Sequence, residues 1–233
     1  MSLQAVIFDV DGTLADTEEA HRQAFNEAFG EFGLPWRWDA GLYVELLAVA
    51  GGKERLRHYC DRVDPARLQA PGGAAFIARL HERKTELYNR RVARGEVSAR
   101  PGVKRLIREL LDGGVRLAIA TTTSRANVDA LLETSFADLP AGSFGAIGAG
   151  EQAAAKKPAP DIYRWTLREL GLAAHECLAI EDSGNGVRAA AGAGIAVMVS
   201  VNSWTRADDF TGALRVLPDL DGVDLALLRR LVR

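Results

Sequence analysis

The sequence predicts an α/β fold: a parallel sheet with helices on both faces, plus an inserted all-helical block after the first strand. Three observations predict it. From about residue 95 onward, apolar runs and helical segments alternate. Those runs are continuously apolar, as strands buried on both faces must be. Residues 17–94, by contrast, hold no convincing strand.

The elements follow in order. Residues 5–8, AVIF, form a short apolar strand that leads into an acidic loop. Residues 18–32 place Ala20, Ala24, Phe25, Ala28 and Phe29 at helical spacing, and Gly33, Leu34 and Pro35 stop that helix. Further helices are expected over 42–48 and 54–62, separated by Gly51 and Gly52. A longer one is expected over 74–94, after Pro71, Gly72 and Gly73. Trp36 and Trp38 read as packing within this helical block. Then come helix 103–112, strand 115–120, helix 127–135, strand 146–147, helix 161–170, strand 177–180, helix 186–193 and strand 195–199. The result is a Rossmann-like core of residues 1–16 and 95–233, with a helical cap of residues 17–94 inserted in it. Hinges are expected near 16–18 and 94–95.

The bulk properties narrow the function. The chain has 233 residues, 48% hydrophobic and 26% charged, with a formal net charge of −2. No bulk field favours nucleic acid or an anionic membrane. No apolar run reaches the ~20 residues of a membrane span. The first residues show no basic region and no cleavage pattern, so no signal peptide is expected, and Met1 to Leu3 are assigned no function. A monomeric, cytoplasmic protein is expected. Cys60 and Cys177 have no partner motif and read as reduced, buried thiols.

Ligands of open α/β sheets bind beyond the carboxyl ends of the strands. Asp9, Asp11, Gly12 and Thr13 follow the first strand. Thr121, Thr122, Thr123 and Ser124 follow the second, Lys156 and Lys157 lie after the third, and Glu181 and Asp182 follow the fourth. A single such aspartate is as readily a helix cap or turn residue. The joint placement points to phosphoryl transfer instead. Asp9, Asp11 and Asp182 suit a hard cation such as Mg2+, which binds through few carboxylates. Asp9 is placed to attack phosphorus, and Asp11 to act as acid and base. The neighbouring carboxylate is expected to raise the proton affinity of Asp11. Thr121 offers a hydroxyl and a backbone N–H to phosphoryl oxygens, and Lys157 offers positive charge. Lys156 reads as solvent-facing.

DVDGTLADTE, the Thr121 cluster, KKPAPD and EDSGNG resemble, in order, the four motifs of the haloacid dehalogenase-like hydrolases. The helical insertion resembles the cap of the beta-phosphoglucomutase branch. The resemblance implies Mg2+ held at Asp9, Asp11, Glu181 and Asp182, with Asp9 as nucleophile. The family's dehalogenases lack the second aspartate, so Asp11 argues against that reaction. The runs GGKERL, TTTS and KKPAPDIYRWTLREL resemble the CbbY-type phosphatases more closely. That subfamily is associated with xylulose 1,5-bisphosphate and with carbon fixation by the Calvin cycle.

The cap is expected to choose the substrate. Glu18 and His21 begin its first helix, beside the Asp11 loop. Gly51, Gly52, Lys53 and Arg55 open a helix whose N-terminus suits an anion. The resemblance favours Lys53 as a ligand. Lys84 lies on the last cap helix, and Tyr43 is either a sugar contact or core. Two anion poles, one at Lys157 and one at Lys53 and Arg55, imply a sugar bisphosphate. A phosphosugar mutase, a phosphatase for another metabolite such as phosphoglycolate, and a non-catalytic binding protein remain the alternatives.

Overall fold

In the computed structural model, residues 3–232 are described; Met1, Ser2 and Arg233 lie outside them, as do the outer ends of the expected core segments. Six strands form one parallel sheet: β1 Ala5–Phe8, β2 Arg116–Ala120, β3 Phe144–Gly148, β4 Cys177–Glu181, β5 Ala196–Ser200 and β6 Arg215–Leu217. Their order is β3-β2-β1-β4-β5-β6. The chain thus leaves β1 in one direction and returns on its other side at β4. That switch point opens a crevice at the carboxyl end of β1. Register sharpens this: Phe8 pairs with Ile119 on one side and Ile180 on the other. Asp9, Ala120 and Glu181 therefore stand level, one residue further along.

Five helices and no strand separate β1 from the rest: α1 Glu18–Glu31, α2 Ala40–Leu47, α3 Gly52–Val63, α4 Pro65–Gln69 and α5 Gly73–Ala93. Aromatic packing holds this cap together. Trp38 is fully buried, 4.5 Å from Phe25 and 5.0 Å from Phe29 between ring centres. Trp36 packs edge-on against Phe29 and Tyr59, as expected of it. Asn26 fixes the Trp38 backbone from both sides, donating to its carbonyl and accepting from its N–H.

The remaining helices are α6 Val103–Asp112, α7 Arg125–Thr134, α8 Asp161–Leu170, α9 Gly184–Gly192 and α10 Leu225–Leu231. Two crossings join cap to core, and they lie side by side. Asp16 N–H donates to Ser98 O and Arg100 N–H to Leu14 O, both at 3.0 Å, around an antiparallel bridge between Ala15 and Ala99. One buried apolar cluster runs from Val6 and Phe8 through Leu14 into Phe25 and Leu80, so cap and core share a core on that side.

Three elements escape the expected pattern. β6 has only three residues, with Arg215 and Val216 exposed, so no apolar run marks it. α4 is five residues held by the Asp64 cap, and α10 starts at Asp224, whose carboxylate accepts from Leu227 N–H. β3 is longer than residues 146–147 because Phe144 already pairs with β2. Among the described residues, no helix is long and apolar enough to cross a membrane.

Candidate active site

Asp9 leaves the end of β1, with its N–H still on the sheet ladder to Ile180 O at 3.0 Å. The Lys157 ammonium binds the level row beside it: Asp9 Oδ1 at 2.7 Å, Ala120 O at 2.8 Å and Glu181 Oε1 at 2.6 Å. Tyr163 OH adds a donor to Glu181 Oε1 at 2.5 Å. Lys157 is buried and points into the crevice, and its peptide to Pro158 is cis. Burial alone would lower its proton affinity, but Asp9 and Glu181 reverse this and hold it well above the ordinary value. The lysine stays charged at neutral pH.

The acids outnumber the lysine. Asp9, Glu181 and Asp182, all buried, each bring an oxygen within 4.8 Å of the others. Once all three are ionised, they exceed the one ammonium by two negative charges, which is what a dication would balance. Burial pushes Asp9 up from 3.8 to about 7, against the pull of Lys157, and pushes Asp182 well above its ordinary value. Glu181 Oε2 is buried without a partner, wedged where a Cβ on Gly186 would come within 1.9 Å of it. An all-oxygen set, an orphaned carboxylate oxygen and a double charge deficit fit Mg2+. Asp11 stands apart from this group, because its carboxylate turns to the cap.

Asp11 Oδ1 lies 3.0 Å from His21 Nε2, and His21 Nδ1 lies 2.6 Å from Lys84 Nζ. With Lys84 as the ammonium, Nδ1 must accept, so the ring proton sits on Nε2 and donates to Asp11. His21 stacks on Tyr88 at 3.9 Å, and Lys84 lies 4.6 Å over the Phe25 ring. The expected rise at Asp11 is overturned here. Burial is the largest single influence and pushes it up, but His21, Thr17 and Lys84 together outweigh burial and leave it at about 2. Burial lowers His21, and it lowers Lys84 to about 7.

Thr121 closes the third side. Its N–H is engaged on Gly148 O at 2.9 Å, so the expected backbone donor to a phosphate is already committed. Its hydroxyl oxygen accepts from Thr123 N–H at 3.2 Å and keeps its own proton to donate. Asn127 donates to Thr123 Oγ1 at 2.8 Å.

Glu181 is fully buried, whereas Asp9, Asp11, His21, Lys84, Thr121, Asn127, Lys157 and Asp182 line one cleft of about 360 Å³, together with Glu18, Gly51, Gly52, Lys53, Arg55, Thr122 and Thr123. Tyr43 is fully buried behind it: its hydroxyl donates to Glu18 Oε2 at 2.7 Å and accepts from Arg55 at 3.2 Å. Arg55 also donates to Leu46 O at 3.1 Å through Nε, while its Nη2 group has no protein partner among the described residues. Lys53 is exposed and makes no hydrogen bond or ion pair among the described residues. Lys156 is not solvent-facing: it is half-buried, lines the cleft and donates to Gly150 O at 2.5 Å. Sequence reasoning missed His81, which lines the cleft against Gly52. Its place three residues before Lys84 on one helix was the available signal. Burial, then the charges of Lys84 and Lys53, lower His81 to about 3, so it is neutral.

Residues 3–194 match the haloacid dehalogenase-like hydrolases. The chain belongs to this family. It is accordingly an enzyme, and a phosphatase. Protein CbbY, plasmid, of Cupriavidus necator is 54% identical over 218 residues, covering 94% of this chain and 86% of that protein. Protein CbbY of Cereibacter sphaeroides is 46% identical over 231 residues, covering 96% of this chain and 97% of that one. Among solved structures, CbbY from Rhodobacter sphaeroides in complex with phosphate superposes with a TM-score of 0.87 at 47% identity, covering 97% and 98% of the two chains. A mutant of that protein in complex with xylulose-(1,5)bisphosphate gives the same TM-score, 0.87. Beta-phosphoglucomutase from Clostridium difficile shares the fold at a TM-score of 0.81 and 18% identity, covering 99% of this chain and 97% of that one.

Proposed function

We propose that this protein is a Mg2+-dependent phosphatase that works through an aspartyl-phosphate on Asp9. Its substrate is a sugar bisphosphate, xylulose 1,5-bisphosphate, cleaved to xylulose 5-phosphate and phosphate. The observation that carries the chemistry is the Asp9–Lys157–Glu181 row, with Asp182 beside it and Asp11 across the cleft. The substrate rests on the likeness to a CbbY structure that holds this bisphosphate.

Asp9, Glu181 and Asp182 would hold the cation, which when bound supplies counter-charge to the carboxylates and the phosphoryl oxygens. Lys157 fixes Asp9 Oδ1 and leaves the other oxygen to attack phosphorus. The bond from phosphorus to the sugar oxygen then breaks, and that oxygen takes a proton from Asp11. In the second half Asp11 takes a proton from water as the water attacks the aspartyl-phosphate, which frees phosphate and restores Asp9. At rest the His21 contact keeps Asp11 ionised. Negative charge arriving with the substrate raises its proton affinity, so Asp11 takes up a proton from solvent before the bond to the sugar oxygen breaks and returns it to solvent after phosphate leaves. Thr121 donates to a phosphoryl oxygen.

The free, buried Cys60 and Cys177 suit a reducing cytoplasm. The few exposed large apolar side chains, Val44, Val63, Leu214 and Val216, support a monomer.

The deciding experiment compares phosphate release from xylulose 1,5-bisphosphate and ribulose 1,5-bisphosphate at equal concentration with Mg2+. Strong preference for the first is expected. Equal rates would remove the substrate assignment. Isomer formation without phosphate release would replace hydrolysis by a mutase reaction.

A further inference from the structure

The loop after β5 carries Asn202, a residue without a motif and outside the machinery described above. Its amide is fully engaged. Oδ1 accepts from Trp204 N–H at 2.8 Å and Thr205 N–H at 3.1 Å, which makes a tight turn. Nδ2 donates to Asp182 Oδ2 at 2.7 Å and to Gly12 O at 3.2 Å. The orientation is forced. Turned over, the amide would set its oxygen against a carboxylate and a carbonyl, and its NH2 against two N–H groups.

Gly12 O takes a second donor, Arg100 Nη1, at 2.7 Å. Arg100 is buried and also donates to Ser200 O, Val201 O and Pro218 O. The acidic loop is thereby tied to the ends of β5 and β6 at the carbonyl that Asn202 shares. The fit leaves no slack: a Cβ on Gly12 would lie 2.4 Å from Asp182 Oδ2 and 2.6 Å from Asn202 Nδ2, at a φ of +82°. The other Asp182 oxygen has only Thr13 Oγ1 at 3.5 Å.

We propose that Asn202 is a positioning residue for the cation site. By binding Asp182 Oδ2 and Gly12 O together, it fixes the Asp182 carboxylate and leaves Oδ1 open to a divalent cation. Buttresses of this kind typically change metal affinity by about 10–100-fold when removed. The inference rests on the reading of Asp182 as a cation ligand.

The test is thermal melting without substrate, in EDTA and then along a Mg2+ titration, for the wild-type protein and Asn202→Ser. A serine hydroxyl still supports the turn, but it is too short to reach Asp182. Melting in EDTA reports the turn, and the Mg2+ midpoint reports the positioning. The expected result is a midpoint raised about 10–100-fold with little change in EDTA. A folded Asn202→Ser protein with the wild-type midpoint overturns the inference alone. A wild-type protein that Mg2+ does not stabilise overturns both this and the cation reading. If the variant does not fold, the wild-type Asn202 side-chain amide is followed by NMR. Its resonances should shift with the Mg2+ midpoint of the melts, and resonances unmoved at saturation overturn the inference.

Discussion

Asp9→Asn should remove activity and yet stabilise the cation-free protein above neutral pH. Burial first, with Glu181 and Asp11 adding and Lys157 opposing, moves the Asp9 carboxyl from 3.8 to about 7. Between those values the fold retains a proton that the unfolded chain has lost. Stability therefore falls as pH rises through this window and levels off above about 7. The gap, at about 1.4 kcal/mol per pH unit, sets a ceiling of about 4 kcal/mol. For a chain of this length that is on the order of 10 °C in melting temperature. Asparagine does not titrate, and its oxygen still accepts from Lys157. Calorimetry in EDTA should show the variant melting well above wild type near about pH 8, with the difference shrinking towards about pH 4.5. Mg2+ should raise the wild-type melt more than that of the variant. An Asp9→Asn protein no more stable than wild type at the higher pH, or a gap of equal size at both, would refute the reasoning.

Lys157→Met strands Asp9 and Glu181 in the interior. It should cost about 3–5 kcal/mol in denaturant titrations near neutral pH and lower kcat by about 10²–10³-fold. Lys53→Ala removes an exposed cation with no protein partner, so stability should stay within about 0.5 kcal/mol. KM for a sugar bisphosphate should rise about tenfold while kcat holds, a loss of about 1.4 kcal/mol in binding; an unchanged KM removes the two-pole account. Arg100→Lys keeps the charge but offers one point of donors to acceptors on Gly12, Ser200, Val201 and Pro218. It should destabilise by about 3 kcal/mol in denaturant titrations, and a melt equal to wild type would show those acceptors find other donors.

The acids of the catalytic floor are legible because each sits at or next to the end of a strand that reads as an apolar run, whereas Lys157 lies nine residues beyond β3. Asp9, Glu181 and Asp182 need only the rule that a parallel sheet gathers its carboxyl ends. What the sequence hides is set by approach from elsewhere. Sequence proximity sets the Asp11 carboxyl against Asp9, two residues away, but its nearest side-chain partner is His21 on the first turn of α1. Arg100 and Asn202 lie in linkers that no periodicity marks, and they matter only because both reach Gly12 O. β6 and α4 are too short for a pattern to register, whereas Asp224 before LALLRRL was a cap signal in plain view.

The committed partners also bear on substrate choice. Of the two core lysines at the cleft, Lys157 has all three of its donors engaged on Asp9, Glu181 and Ala120, and Lys156 has one engaged on Gly150 O. In the cap, Lys84 is bound to His21, and Arg55 to Tyr43 and Leu46 O. What is open to a second phosphate is the exposed charge of Lys53, the Nη2 group of Arg55, the remaining donors of Lys156, the neutral ring of His81 and the N–H groups at the start of α3, opened by Gly51 at φ +92°. Arg55 also holds Tyr43 against Glu18 through Nη1. The distal pole is thus a helix start reinforced by Lys53 and by the unpartnered Nη2 side of Arg55. Such a pole attracts the second phosphate through backbone N–H groups, a point charge and a guanidinium together. Glu18 lines the same cleft, buried and oriented by Tyr43, so a carboxylate is held ready for the hydroxyls of a sugar bound across the two poles.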